Sequence, residues 1–140
     1  SADDLKTPAL IKEESLHQVL IVDDNHTHRD MLVQLFNHSP DFHVEGEAAS
    51  GPEAVTQSAL CQPDLLLIDY SLPGFDGAEA AQKICAELDQ LTVVGFTSFD
   101  LPEVIDHFRR AGASRVLLKD SDPQRLLGEC LEALSDRHVS

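Results

Sequence analysis

LLLIDYSLPGFDG, residues 65–77, is the stretch of sequence that decides the fold. Its four apolar residues are typical of a strand buried on both faces of a parallel sheet, and they lead directly into Asp69. Pro73 and Gly74 predict a turn, and Asp76 is placed to cap a helix. Ligands bind at the carboxyl ends of strands in open α/β sheets. Asp69 is therefore a candidate nucleophile or metal ligand, or else a strand-end residue that caps a loop.

Strand-like and helix-like segments alternate along the rest of the chain. Strands are predicted at 19–22, 42–45, 65–69, 91–96 and 116–118, and a segment with helical spacing of apolar residues follows each one. This alternation implies a parallel sheet covered by helices on both faces, because the crossover connections are right-handed. The second predicted strand, at 42–45, alternates apolar and polar residues, which predicts an edge strand.

Capping residues and inward faces can also be predicted for the helices. The predicted caps are Asn25 or Thr27 for the first helix, Ser50 for the second, Asp76 for the third and Asp122 for the last. The apolar positions predicted to share the inner face are Met31, Leu32, Leu35 and Phe36 in the first helix, and Ala54, Val55, Ser58 and Ala59 in the second.

Composition limits the classes of function. The chain has 140 residues with a formal net charge of −15, and 42% of them are hydrophobic, so we expect one domain with a substantial core. Direct binding of nucleic acid by this domain is not expected, because so much acidity repels phosphates. No apolar run is long enough for a membrane span, and no signal-peptide pattern opens the chain.

The cysteines and histidines do not predict a metal centre. Cys61, Cys85 and Cys130 lie far apart on predicted helix faces, which indicates reduced cysteines rather than a disulfide or zinc framework, so a cytoplasmic location is expected. The seven histidines lack zinc-site spacing. His26 and His28 come closest to it, and we do not expect them to bind a metal.

Polar side chains follow four of the predicted strands. They are Asp23 and Asp24 after the first, Asp69 at the end of the third, Thr97 after the fourth and Lys119 after the fifth. Taken singly, each is an ordinary turn, loop or surface residue, but a parallel sheet brings all of them to one edge. Crowded carboxylates favour a divalent cation, and hard oxygen ligands favour Mg²⁺. The set resembles a phosphoryl-transfer site, in which an Asp attacks phosphorus while a cation and a lysine stabilise the charge.

Residues 17–138 resemble the receiver domain of response regulators, the phosphoacceptor module of two-component signalling, and residues 1–16 are expected to be a leader. The matching motifs are VLIVDD at 19–24, LLLIDYSLPGFDG at 65–77, GFTS at 95–98 and LLKD at 117–120. The resemblance implies a flavodoxin-like, doubly wound α/β fold with five helices and five parallel strands in the order 2-1-3-4-5.

The resemblance also implies a site. Asp69 would accept a phosphoryl group from a phosphohistidine of a sensor histidine kinase. Mg²⁺ would be held by Asp23, Asp24, Asp69 and the backbone carbonyl of Ser71. Because Ser71 is small and neutral, we expect it to leave the phosphoryl group open to water. The domain would catalyse only its own phosphorylation and dephosphorylation, and would not be an enzyme in the usual sense.

Two further residues would carry the signal. Thr97 would be the switch hydroxyl and Lys119 the phosphate partner, and together they would shift the surface around the fourth helix and the fifth strand. Val116 stands where the family commonly has Tyr or Phe, and Phe96 or Phe99 are the candidates to replace that aromatic side chain.

The partners follow from the same resemblance. The spacing Asp-Asp-x-x-x-x-Arg at 23–29 and Lys119-Asp120 resemble the NarL/FixJ kind of regulator, which usually controls transcription through a helix-turn-helix domain. An output domain or partner outside this chain is therefore expected, as is a homodimer on phosphorylation.

Other functions stay open on the sequence. A pseudo-receiver that binds partners without phosphorylation is compatible with the missing aromatic at Val116. A Mg²⁺-dependent phosphatase with an Asp nucleophile typically needs a second Asp where this chain has Ser71, and it needs a cap domain. A flavin-binding domain of the same topology would need a phosphate-cradling loop after the first strand, and none is visible.

Overall fold

The structure is a computed structural model that describes residues 16–139, so the predicted leader lies outside the described residues except for Leu16. Within that range, five strands alternate with five helices. The elements are β1 (His17–Val22), α1 (His26–His38), β2 (Phe42–Ala48), α2 (Gly51–Cys61), β3 (Leu65–Asp69), α3 (Gly77–Glu87), β4 (Thr92–Thr97), α4 (Pro102–Arg110), β5 (Arg115–Leu118) and α5 (Pro123–Val139). The strands form one parallel sheet in the order β2-β1-β3-β4-β5, which confirms the predicted fold.

The central strand β3 pairs with its neighbours so that the carboxyl ends of the strands lie at one edge of the sheet. All five of its residues are buried, because helices cover both faces, and this explains the unbroken apolar run. Ile68 pairs with Val22 of β1 and with Gly95 of β4. Leu118, the last residue of β5, pairs with Thr97. The residues that end or follow these strands therefore emerge at a common edge.

Two apolar layers hold the sheet between the helices. Successive strand residues alternate between the layers, so that Leu20 and Leu66 face α2, α3 and α4, whereas Ile21 and Leu67 face α1 and α5. Each fully buried side chain of this size stabilises the fold by roughly 1.5–3 kcal/mol. The edge that carries the polar residues is thus fixed to a rigid core.

Side-chain caps begin four of the helices, as predicted. The accepting atoms are Asn25 Oδ1, Ser50 Oγ, Asp76 Oδ1 and Asp122 Oδ1, at 2.9, 3.1, 2.8 and 2.9 Å from the backbone nitrogens of His28, Glu53, Glu79 and Gln124. The alternative cap of α1, Thr27, lies inside the helix instead. Such caps contribute about 1 kcal/mol each.

Two predicted inward positions are wrong. Ala59 of α2 is exposed, because at about 100° per residue it lies roughly 140° around the helix from the buried Ala54. Met31 of α1 is 44% exposed and lines a groove with Leu118 at the end of β5. Both residues lie beyond the stripe of helix surface that the sheet covers.

Candidate functional site

Three carboxylates meet at the carboxyl edge of the sheet, as the sequence predicts. Asp23 and Asp24 follow β1, Asp69 ends β3, and one oxygen from each lies within 4.8 Å of the others. Asp23 and Asp69 are buried, with exposed fractions of 0% and 4%, whereas Asp24 is open to solvent. Solvent therefore reaches the cluster at Asp24, whereas the other two carboxylates are shielded from it.

Lys119 joins two of these carboxylates. Its Nζ atom lies 2.9 Å from Asp69 Oδ2 and 3.3 Å from Asp23 Oδ2. The side chain extends from the end of β5, where the backbone N–H of Lys119 donates to the carbonyl of Thr97 at 2.9 Å. The ammonium also lies over the ring of Phe96, 5.3 Å from its centroid. One positive charge is thus shared by two buried acids.

The protonation equilibria reflect this crowding. Burial raises the pKa of Asp69, and the charge of Asp23 raises the pKa further, against the lowering effects of Lys119 and of the Ser71 backbone N–H. Burial lowers the pKa of Lys119, but the hydrogen bonds and charges of Asp69 and Asp23 outweigh burial, so that the net pKa is raised. Lys119 therefore stays charged at neutral pH.

We expect Asp69→Asn to be more stable than the wild type at neutral pH. Since burial raises the pKa of Asp69, the fold binds this proton more tightly than the unfolded chain does. The associated stability is present below the ordinary pKa of 3.8 and is lost as the pH rises through the raised pKa. Asn is neutral throughout, so its advantage should shrink on acidification to pH 3.8. Urea unfolding of both proteins across this range tests the prediction, and an advantage independent of pH would contradict it.

Thr97 lies at the same edge, at the end of the neighbouring strand. It is 1% exposed, and its Oγ1 accepts a hydrogen bond from the backbone N–H of Phe99 at 3.1 Å. A hydroxyl that accepts in this way keeps its own hydrogen to donate. The arrangement places that donor at the carboxyl end of β4, immediately before the loop that leads into α4.

The two candidate aromatics near Thr97 have different environments. Phe96 is 3% exposed and packs beside the imidazole of His28, with ring centroids 5.7 Å apart. Phe99 is 54% exposed. Phe96 is therefore a fixed wall of the site, and Phe99 is the aromatic side chain with room to reorient.

Tyr70 forms a connection that the sequence did not reveal. Its hydroxyl is 2.9 Å from His107 Nδ1 on α4, and its ring packs edge-on against Phe108 at 5.4 Å. Tyr70 directly follows Asp69, so the loop after β3 is joined to α4 through an aromatic residue even though Val116 is aliphatic.

Asp23 has further partners that were not predicted. The backbone N–H of Asn25 donates to Asp23 Oδ1 at 2.9 Å, and the Nδ1 atom of His28 hydrogen-bonds to Oδ2. Arg29 donates to the carbonyl of Asp23 at 2.7 Å, which gives a structural reason for the spacing Asp-Asp-x-x-x-x-Arg. His26, by contrast, points away and pairs with Asp30 at 3.2 Å.

The fold and the acidic edge together define a receiver domain. Residues 19–130 match the sequence model described as "Response regulator receiver domain", and the chain belongs to this family. It is 36% identical over 104 residues to the transcriptional regulatory protein LiaR of Bacillus subtilis, covering 74% of this chain and 49% of LiaR. It is 32% identical over 121 residues to the nitrate/nitrite response regulator protein NarL of Escherichia coli K12, covering 86% of this chain and 56% of NarL. The chain thus spans about half the length of these relatives.

Solved structures agree with this assignment. The signal receiver domain of the putative response regulator NarL from Mycobacterium tuberculosis superposes with a TM-score of 0.82 at 30% identity, covering 86% of this chain and 98% of that one. A CheY-like receiver domain protein from Methanospirillum hungatei JF-1 has a TM-score of 0.82 at 27% identity, covering 89% and 98%. The predicted NarL/FixJ type of two-component receiver is confirmed. Among the described residues, no helix is both long and apolar enough to span a membrane.

Proposed function

We propose that Asp69 is the phosphoacceptor of this receiver domain and that Lys119 is the cation that accompanies the phosphoryl group. The observation that carries the proposal is the ion pair between Lys119 Nζ and Asp69 Oδ2, 2.9 Å long, inside a cluster with Asp23 and Asp24. A buried carboxylate at the edge of a rigid sheet, next to a fixed positive charge, is equipped to receive an anionic group.

The donor that we propose is a phosphohistidine of a sensor histidine kinase. An oxygen of Asp69 attacks phosphorus, and the new O–P bond forms as the P–N bond breaks. The departing imidazole takes the electron pair and is protonated by solvent water. Lys119 balances charge on the phosphoryl oxygens, and the backbone N–H of Ser71, which already hydrogen-bonds to the carboxylate, helps to orient Asp69.

The donor set fits Mg²⁺, because three carboxylates offer hard oxygen ligands with a surplus of negative charge. Asp23, Asp24 and Asp69, with the backbone carbonyl of Ser71, would hold the ion. When bound, it supplies positive charge that neutralises the phosphoryl oxygens. The chain's own contribution is to hold Asp23 and Asp69 in fixed positions, which their burial supports.

Phosphorylation would switch the surface around α4 and β5. A phosphoryl group adds about −1.5 to −2 charges, which draws the Lys119 ammonium from Asp23 and attracts the Thr97 hydroxyl. Thr97 directly precedes the loop that carries Phe99 and Leu101, which are 54% and 45% exposed. We propose that this apolar surface then changes its affinity for a second copy or for an output domain, of the helix-turn-helix DNA-binding type.

We infer that this signalling takes place in the cytoplasm and that the domain turns over no other substrate. The free thiols of Cys61, Cys85 and Cys130 support a reducing compartment. A phosphatase is not supported, because Ser71 supplies no second carboxylate beside Asp69, and a pseudo-receiver is not supported, because every predicted position of the site is filled.

Mass spectrometry after treatment with acetyl phosphate and Mg²⁺ tests the proposal directly. We expect the intact protein to gain the mass of one phosphoryl group, and we expect the modified peptide to contain Asp69. Omission of Mg²⁺ should prevent the gain. A protein that gains no phosphoryl group under these conditions, or gains it on another peptide, would overturn the proposal.

A further inference from the structure

We propose that His28 is a positioning residue that holds the Asp23 carboxylate in place for the divalent cation. This inference rests on the proposed function, since it concerns the cation of the same site. It goes further by assigning a role to a side chain on α1 that the acidic cluster does not include. The argument starts from the partners of Asp23.

Asp23 is fully buried, and both of its carboxylate oxygens have partners. Oδ1 accepts the backbone N–H of Asn25 at 2.9 Å, and Lys119 Nζ lies 3.4 Å from Oδ1 and 3.3 Å from Oδ2. His28 Nδ1 is a second side-chain partner of Oδ2. Lys119 is shared with Asp69 and would be drawn towards a phosphoryl group on that residue. His28 would therefore stay in contact with Asp23 Oδ2 both before and after phosphorylation.

His28 is itself held in position. It lies in the first turn of α1, its backbone N–H donates to the cap Asn25 at 2.9 Å, and its side chain is only 22% exposed. The face of its ring is limited by Phe96, whose centroid is 5.7 Å away. The imidazole therefore has little freedom to turn. Its hydrogen bond holds the Asp23 carboxylate in one orientation.

The chemistry of a carboxylate allows this contact and a metal ion together. Each oxygen carries two lone pairs, so an N–H donor on one leaves the other for a cation. Hydrogen bonds to ligating side chains orient the ligand, and their loss typically weakens metal binding by about 10–100-fold. With hydrogen on Nδ1, the imidazole of His28 can donate to Asp23 Oδ2 and leave the other lone pair of that oxygen for the ion.

The test compares three variants, His28→Leu, His28→Asn and His26→Leu. Leu removes the donor and keeps the bulk, whereas the side-chain amide of Asn places an N–H close to the position of the imidazole Nδ1. His26→Leu is the matched control, because His26 lies on the same turn, is 74% exposed and contacts Asp30 instead of the site.

The first measurement is Mn²⁺ binding to the unphosphorylated proteins by electron paramagnetic resonance. We expect the dissociation constant to rise about 10-fold in His28→Leu, to return to within about 3-fold of the wild type in His28→Asn, and to stay unchanged in His26→Leu. The second is the Mg²⁺ concentration that gives half the maximal rate of phosphorylation by acetyl phosphate. It should rise by the same factor in His28→Leu, while the rate at saturating Mg²⁺ stays near that of the wild type.

These readouts separate positioning from a general loss of structure, which would lower the saturated rate and would not be rescued by Asn. Tight Mn²⁺ binding by His28→Leu, or failure of His28→Asn to improve on Leu, would overturn the inference. If the wild type takes up phosphate with Mg²⁺ and the His28 variants match it, only the role of His28 is wrong. If the wild type is not phosphorylated at all, the proposed function itself fails.

Discussion

Asp69→Asn is expected to take up no phosphoryl group from acetyl phosphate under conditions that fully modify the wild type. Asn has nearly the same shape as Asp, and its amide oxygen can still accept a hydrogen bond from Lys119, which lies 2.9 Å from Asp69 Oδ2. The substitution therefore removes the anionic nucleophile and little else. Intact-mass spectrometry with Mg²⁺ present measures the loss, which should be complete within detection.

Asp64→Asn is the matched control for this experiment. Asp64 directly precedes β3, at the opposite edge of the sheet from Asp69, and its Oδ2 accepts the backbone N–H of Gln18 at 2.8 Å. An Asn side chain can accept the same bond, so this variant should be phosphorylated like the wild type. If Asp69→Asn still gained a full phosphoryl group, the nucleophile would be another residue, with Asp23 and Asp24 the first to test.

The convergence of Asp23, Asp69 and Lys119 could be predicted because it depends on two simple properties of the chain. The unbroken apolar runs locate the ends of the strands, and a parallel arrangement carries those ends to one edge. Neither step depends on the angle at which a helix packs against the sheet. The positions of these three residues at one edge could therefore be predicted from the sequence.

The supporting contacts could not be predicted in the same way. Tyr70 and His107 are 37 positions apart, and their hydrogen bond depends on where α4 lies over the sheet. The contact between His28 and Asp23 depends on the rotation of α1 about its own axis. Such rotations are set by packing across the whole domain, whereas the pattern of apolar residues records only which face is covered.

Gly77 packs directly against the backbone of Asp69, and we expect its substitution by Ala to destabilise the fold. A Cβ atom at Gly77 would lie 2.0 Å from the carbonyl oxygen of Asp69 and 2.8 Å from its carbon. Neither atom can move easily, because β3 is buried and the N–H of Gly77 donates to the carbonyl of Tyr70 at 2.7 Å. We expect Gly77→Ala to lower the free energy of unfolding by about 1–3 kcal/mol or more, as overpacking does in rigid cores.

Gly128→Ala provides the same chemical change with the opposite expected sign. Gly128 lies inside α5, and among the described residues no atom outside its local backbone lies within 4 Å of an added Cβ. Ala is favoured over Gly in a helix, so this variant should gain roughly 0.5–1 kcal/mol. Urea unfolding followed by circular dichroism measures both changes. The strain at Gly77 falls on the backbone that carries Asp69, so Gly77→Ala should also be phosphorylated more slowly than Gly128→Ala. Equal stability and equal phosphorylation rates in the two variants would contradict this prediction, because they would show that the loop after β3 can accommodate the added Cβ.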